Sequence, residues 1–185
     1  MKEIRFYKDA VLHRDNGPAV IWSDGSKEWW IEGKLILVRR RWSINSPVWG
    51  LYWFKNGRLH KEDGPAHIRS NGYTEWWVKG KRHRTDGPAI IWANGSKEWW
   101  VHGKRHREDG PAIIYPSGDT EWWVHGMRHR EDGPAVIWSS GTHEWWLNGK
   151  RHREDDPAII WSTGEKEWWI HGKRRSDIGA GNPLL

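Results

Sequence analysis

A histidine recurs at His60, His83, His106, His129 and His152, each 23 residues after the last, and each opens a copy of one motif. The clearest copy runs from His106 to Arg128, HREDGPAIIYPSGDTEWWVHGMR. A fixed period of this length constrains architecture before any residue propensity does, because a unit too small to fold alone must bury its apolar face against its neighbours. The 185 residues therefore read as about seven stacked units rather than one ordinary domain.

Each unit carries two turn signals. Asp24-Gly25, Asn71-Gly72, Asn94-Gly95 and Ser117-Gly118 belong to the first; Glu32-Gly33, Asn56-Gly57, His102-Gly103 and His125-Gly126 belong to the second. Such pairs flanked by β-branched and aromatic residues are the strongest short-range hairpin signal, since Gly takes φ > 0 without steric cost. No segment has the length or period of a helix. The expected fold is all-β: an elongated single-sheet array of antiparallel β-hairpin repeats. Residues 1–12 read as an N-terminal half-repeat that closes the first sheet edge, and 13–35 as repeat 1. Residues 36–59 form a degenerate basic repeat, 60–174 five regular repeats and 175–185 a flexible tail. In the last regular unit Asp156 replaces the Gly of the Asp-Gly-Pro loop, a position where φ > 0 would be strained.

The sequence has 19 Trp against two Phe and two Met, so burial is expected to come from large flat rings. Adjacent Trp residues on a strand point to opposite faces. Trp99 shares a face with Val101 and is assigned to the better-buried side; Trp100 shares one with Glu98. The second Trp of each pair then forms a ladder on the mixed face: Trp30, Trp77, Trp100, Trp123, Trp146 and Trp169. If Asn94-Gly95 is a two-residue turn, Ile90 pairs with Trp99 and Ile91 with Glu98; a change of one residue in the loop exchanges the faces. The ladder is either ring-on-ring packing between hairpins or an open aromatic strip for a partner.

Net charge is +6 but is unevenly placed. From Gly33 to Lys61 lie Lys34, Arg39, Arg40, Arg41, Lys55, Arg58 and Lys61 without one acid, which leaves 23 basic residues against 24 acidic elsewhere. The degenerate repeat, with Arg39, Arg40, Arg41, Trp42 and Trp49, has lost the Asp-Gly-Pro-Ala loop and is either decayed or adapted to another task. Arg and Trp suit an acidic protein partner; basic residues interleaved with aromatics also suit single-stranded nucleic acid.

The chain has no Cys, no signal-like apolar run after Met1 and no stretch approaching ~20 apolar residues, which predicts a soluble cytoplasmic protein without disulfides. The loop His106–Pro111 offers one imidazole and a carboxylate per unit, too few ligands for zinc; Asp109 is expected to cap its own turn and Arg107 to pair with a carboxylate. His102, His125 and His171 are expected to face solvent. Acids, bases and imidazoles repeat identically, so no asymmetric catalytic set stands out and neither cofactor nor metal is expected.

The segment Trp100-Val101-His102-Gly103-Lys104-Arg105-His106, followed by a Gly and by Ile-Trp-x-Asn-Gly turns, resembles the MORN repeat, and more closely its bacterial and viral variant class. The resemblance covers about Ile4 to Arg174. It implies a twisted ribbon of hairpins without catalytic residues, and contacts to proteins or membrane lipids; some bacterial members of the variant class are antitoxin-like. The chain departs from the MORN pattern in its HRxDGPA loop and its doubled Trp, and it has no matching lipid-contacting set. The expectation is a non-enzymatic scaffold that binds another protein, with an inhibitor or antitoxin-like role, and nucleic-acid binding through the basic unit as the alternative. Open ribbon edges or ends also suit a homodimer.

Overall fold

A computed structural model describes residues 3–41 and 47–175. Trp42 and the tail from Ser176 onward lie outside the described residues. Contacts divide the chain into two units, Met1–Ala93 and Asn94–Leu185. Both are all-β and built from antiparallel hairpins, as the period implies. Among the described residues no helix is long and apolar enough to cross a membrane.

In Asn94–Leu185 an inner ladder of short strands runs Lys97–Glu98, Ile113–Ile114, Thr120–Glu121, Val136–Ile137, His143–Glu144, Ile159–Ile160 and Lys166–Glu167, each antiparallel to the next. Each repeat also contributes a separate two-stranded hairpin, such as Trp123–Val124 with Met127–Arg128. The first Trp of each pair is the junction between the two. The Trp122 amide donates to the Ala135 carbonyl in the inner ladder (2.7 Å), while its carbonyl accepts from the His129 amide in the side hairpin (3.2 Å). Met1–Ala93 follows the same plan, in the order Ile4–Arg5, Val20–Ile21, Lys27–Ile31, Lys34–Arg41, Trp49–Lys55, His67–Arg69, Thr74–Glu75 and Ile90–Ile91. There Phe6 plays the junction role, its amide on the Ala19 carbonyl at 2.8 Å.

The two turn signals have different geometries. At His125-Gly126 both central residues have positive φ (51° and 85°), so this is a two-residue type I′ turn, and Val124 faces Met127. At Ser117-Gly118 the Tyr115 amide instead donates to the Asp119 carbonyl and the Gly118 amide to the Tyr115 carbonyl, both at 3.0 Å. That is a three-residue loop closed by a positive-φ Gly, one residue longer than expected. Ile113 consequently faces Glu121, and Ile114 faces Thr120. The expected register, with Ile opposite the first Trp, is one residue out in this turn, and so is the expected assignment of faces.

The core is therefore neither Trp-filled nor centred on the first Trp. The fully buried side chains are Ala112, Ile113, Ala135, Val136, Ala158 and Ile159 and their counterparts, while most described Trp rings are half-buried and Trp92, Trp161 and Trp168 are exposed. Small and β-branched residues fit the close approach of consecutive strands, while indoles such as Trp100, Trp123 and Trp146 lie beside them with the N–H edge turned to a Glu. Opposite each of the buried Ile113, Val136 and Ile159 stands a Glu: the row Ile113, Glu121, Val136, Glu144, Ile159 and Glu167 crosses the inner ladder pair by pair. Glu121 and Glu144 are only 4% and 6% exposed.

Asp156 needs no positive φ, and the expected strain is absent; Gly87, Gly110 and Gly133 are also outside the left-handed region. Glycine serves there for closeness, since a Cβ at Gly110 would lie 3.1 Å from the Arg107 guanidinium carbon. At Asp156 the carboxylate instead pairs with Arg153 at 2.7 Å.

The repeat His couples neighbours. Its Nδ1 accepts the turn amide of the next side hairpin, as His106 does from His125 at 3.2 Å, and the two rings stack at 4.5 Å. The turn histidines are thus exposed, as expected, yet His125 and His171 each rest on a repeat His. Replacing His106 with Ala is expected to lower stability by about 1–2 kcal/mol. His106→Asn, whose side-chain oxygen can accept the same amide, should recover part of that loss in urea unfolding; equal losses in the two variants would contradict the hydrogen bond's role.

Candidate functional site

The inner-ladder Glu of the regular repeats collects aromatic and Arg donors. On Glu121 converge the Tyr115 hydroxyl (3.3 Å), the Trp123 indole N–H (3.0 Å) and Arg128 Nε (3.0 Å). On Glu144 converge Trp138 Nε1 (3.1 Å), Trp146 Nε1 (3.1 Å) and Arg151 (3.3 Å). Trp30, Trp100 and Trp169 likewise donate to Glu28, Glu98 and Glu167. In the second-Trp ladder Trp30, Trp100, Trp123, Trp146 and Trp169 are consequently tied down by the N–H edge. Its faces are interleaved with Arg: Arg128 lies 5.3 Å from the Trp123 centroid and 5.2 Å from that of Trp146, and Arg151 bridges Trp146 and Trp169 in the same way. Cation–π contact with Arg joins the rings of successive repeats, an arrangement that differs from ring-on-ring packing, one of the two expected alternatives.

The first-Trp row has its own cations. Arg107 stacks on Trp99 at 4.2 Å, Arg130 on Trp122 and Arg153 on Trp145 at the same distance. Each of these Arg residues also binds a carboxylate of its own loop, as Arg107 does with Asp109 at 2.9 Å. Arg107 holds the Asp109 carboxyl below its usual pKa range, so Arg pairing, more than capping, describes this Asp. Asx capping belongs to the other turn, where Asn94 and Asp24 accept the Ser96 and Ser26 amides.

The degenerate repeat keeps its place in the sheet. Val38 is buried where Ile or Val is expected, and Tyr52, opposite it, takes the position of the Glu. What changes is length: Lys34–Arg41 and Trp49–Lys55 are the longest strands among the described residues, paired out to Arg41 and Trp49. Arg39 stacks over Trp49 at 4.6 Å, and Arg40 is exposed on the alternate face. Lys27 stands directly opposite Arg39 across the strands, a like-charge pair. Arg39 and Trp49 are thus brought together, whereas the Trp ladder is distributed one ring per repeat.

A second break in the symmetry was not anticipated. His67 occupies the Ile/Val position of the following repeat, 4% exposed, and meets Glu75 at 2.9 Å. Tyr52 stacks on the imidazole at 4.2 Å, and Arg69 Nε donates to its Nε2 at 3.3 Å, which leaves Nδ1 to donate to Glu75. Arg82 binds the other Glu75 oxygen at 2.9 Å. With both oxygens engaged, the buried Trp77 indole N–H has no acceptor, unlike Trp123 or Trp146. The sequence signal was the departure Ala66-His67-Ile68-Arg69 from the Ala-Ile-Ile-Trp pattern, together with Tyr73 for Ser. Among the described residues no group of three or more His, Asp or Glu is arranged to hold a metal ion.

No protein-family model matches the chain, and no curated protein sequence matches it.

Burial alone would raise the Glu75 pKa, but hydrogen bonds from His67, Tyr73 and Arg82 outweigh it and hold the group at about 2, against an ordinary 4.5. Burial and the neighbouring carboxylate push Tyr73 up. A depressed carboxylate stabilises the fold fully above its unfolded pKa, and the contribution fades as pH falls towards the folded value. Glu75 should therefore contribute about 3 kcal/mol that is lost between roughly pH 4.5 and 2. Urea unfolding of the parent and of Glu75→Gln should show a stability gap that closes across this window. A gap that stays constant would contradict the ionised cluster.

Proposed function

We propose that this chain is a non-enzymatic, MORN-like repeat scaffold that binds an acidic protein partner through its lengthened hairpin. The role that fits this reading is inhibitor or antitoxin-like factor in a bacterial or phage setting. The observation that carries it is the charge balance of the hairpin. In regular repeats each side-hairpin Arg has a Glu of its own unit, as Arg105 has Glu98 at 3.1 Å and Arg128 has Glu121 at 3.0 Å. The degenerate repeat has put Tyr52 in place of that Glu and Leu59 in place of that Arg, carries Arg39, Arg40 and Arg41 on the lengthened strand with no acid from Gly33 to Lys61, and faces Arg39 with Lys27. Like charges directly opposite on a sheet are destabilising, and a carboxylate brought by a partner relieves the repulsion. Arg39 and Trp49, already stacked, form the kind of preordered pair that dominates protein interfaces.

Nucleic acid is the competing partner, but the Trp49 face that a base needs is covered by Arg39. The test is capture of partners from a bacterial lysate by the intact chain and by a variant with Arg39→Ala, Arg40→Ala and Arg41→Ala, with and without nuclease. A nuclease-resistant protein that is captured by the parent and lost in the variant is the expected result. Recovery of nuclease-sensitive material alone would replace this reading with the nucleic-acid one, and equal capture by both chains would remove function from the hairpin.

A further inference from the structure

The loops that begin at each repeat His are ridges with grooves between them. In Asn94–Leu185 the ridges His106–Gly110 and His129–Asp132 flank a groove of about 500 Å³ lined at its base by Trp122 and Val124. In Met1–Ala93 the loops 61–64 and 83–86 flank an equivalent groove of about 580 Å³ over Trp76 and Val78. Recurrence at the same positions of two separate repeats makes the groove a property of the repeat. Its walls are stiff, because each ridge Arg is fixed between an indole and a glycine: Arg130 lies 4.2 Å over Trp122, and a Cβ on Gly133 would come within 3.0 Å of its guanidinium carbon.

The spacing of the grooves selects the ligand. Each repeat adds two inner strands, so ridges recur about every 9.5 Å. A polyproline II helix completes a three-residue turn in about 9.3 Å, whereas an extended strand repeats about every 6.7 Å and an α-helix every 5.4 Å. Only the first stays in register with a run of ridges. Such a segment needs no backbone pairing and places pyrrolidine rings against apolar surface, which Val124 and the uncovered part of Trp122 supply at the base of the groove.

The charge of the ridges selects further. Those from His106 to Asp156 carry Arg107, Arg130 and Arg153 against seven acids: Glu108, Asp109, Glu131, Asp132, Glu154, Asp155 and Asp156. The ridge glutamates are 79%, 83% and 73% exposed, and only a distant histidine nitrogen, 3.6–3.9 Å away, faces each of them. We propose that these grooves are a docking surface for a proline-rich, Arg- or Lys-containing segment of a partner protein in the polyproline II conformation, with one three-residue turn per 23-residue repeat. This surface is distinct from the basic hairpin and complements ligands of the opposite charge.

The test is calorimetric titration of the whole chain with a synthetic peptide of four Pro-Pro-Arg triplets. Controls are a peptide of four Gly-Ser-Arg triplets and a variant with Glu108→Lys, Glu131→Lys and Glu154→Lys, whose fold is checked by circular dichroism. A second variant, Val124→Asn, probes the base of one groove without changing charge. The proline peptide should bind the parent about tenfold or more tightly than the Gly-Ser peptide, and about tenfold or more tightly than it binds the triple variant. Val124→Asn should weaken it severalfold. Equal binding of the two peptides would reduce the site to charge and overturn the proposal, as would no binding of the proline peptide, or loss on Arg39→Ala with the triple variant unaffected.

Discussion

The fold depends on a carboxylate inside the sheet that must be satisfied once in each regular repeat. A Glu at 4% exposure, as at Glu121, is tolerable only if its oxygens are fully engaged, because the desolvation cost of an unpaired carboxylate is several kcal/mol. Two aromatic donors and an Arg supply that engagement, and each is placed by backbone geometry: a cross-strand neighbour, a residue two further along the chain where the side hairpin begins, and the far strand of that hairpin. The cross-strand placement requires the three-residue loop. With a two-residue loop Ile113 would face Trp122 in place of Glu121. Gly118, at φ +92°, is thus tied to the chemistry of the interior.

The same groups carry cohesion from one repeat to the next. Arg128 belongs to one repeat by its salt bridge to Glu121 and to two by its position between Trp123 and Trp146. The repeat His adds the amide of the next turn, and the Gly126 amide reaches back to the Arg105 carbonyl at 2.8 Å. Each contact reaches only the adjacent repeat, the condition under which stability becomes a sum of unit and neighbour terms. A repeat that gives up its Glu must find another way to fill the site. The degenerate one does so with Tyr52 stacked on His67.

Much of this was legible in the sequence. The period, the all-β hairpin plan and the type I′ turns at Asn-Gly-like pairs follow from residues whose backbone preferences are strong, as at Asn148-Gly149 with φ of 49° and 78°. The register was not legible, because Ser117-Gly118 resembles those pairs while closing a longer loop. That one-residue ambiguity exchanged the faces and put Glu121 on the mixed face and Trp122 on the better-buried one. The Trp count also misled, since a ring can supply a hydrogen-bonding edge and a stacking face without being the buried element. His67 was visible as a departure from pattern, but its meaning needed the pairing with Glu75 and the stack on Tyr52.

These constraints separate what the repeats must keep from what they are free to vary. The Glu, the second Trp and the side-hairpin Arg hold the array, while the ridges and the lengthened hairpin face outward with opposite charge. The most direct test of the carboxylate's central role is the indole region of an ¹⁵N-resolved proton spectrum, with urea unfolding in parallel, for Glu121→Gln against the exposed control Glu108→Gln. Glu121→Gln should move the Trp123 indole signal, speed its solvent exchange and lower stability by about 2 kcal/mol, with the control unchanged. An unmoved Trp123 signal and an unchanged unfolding midpoint in Glu121→Gln would contradict the account.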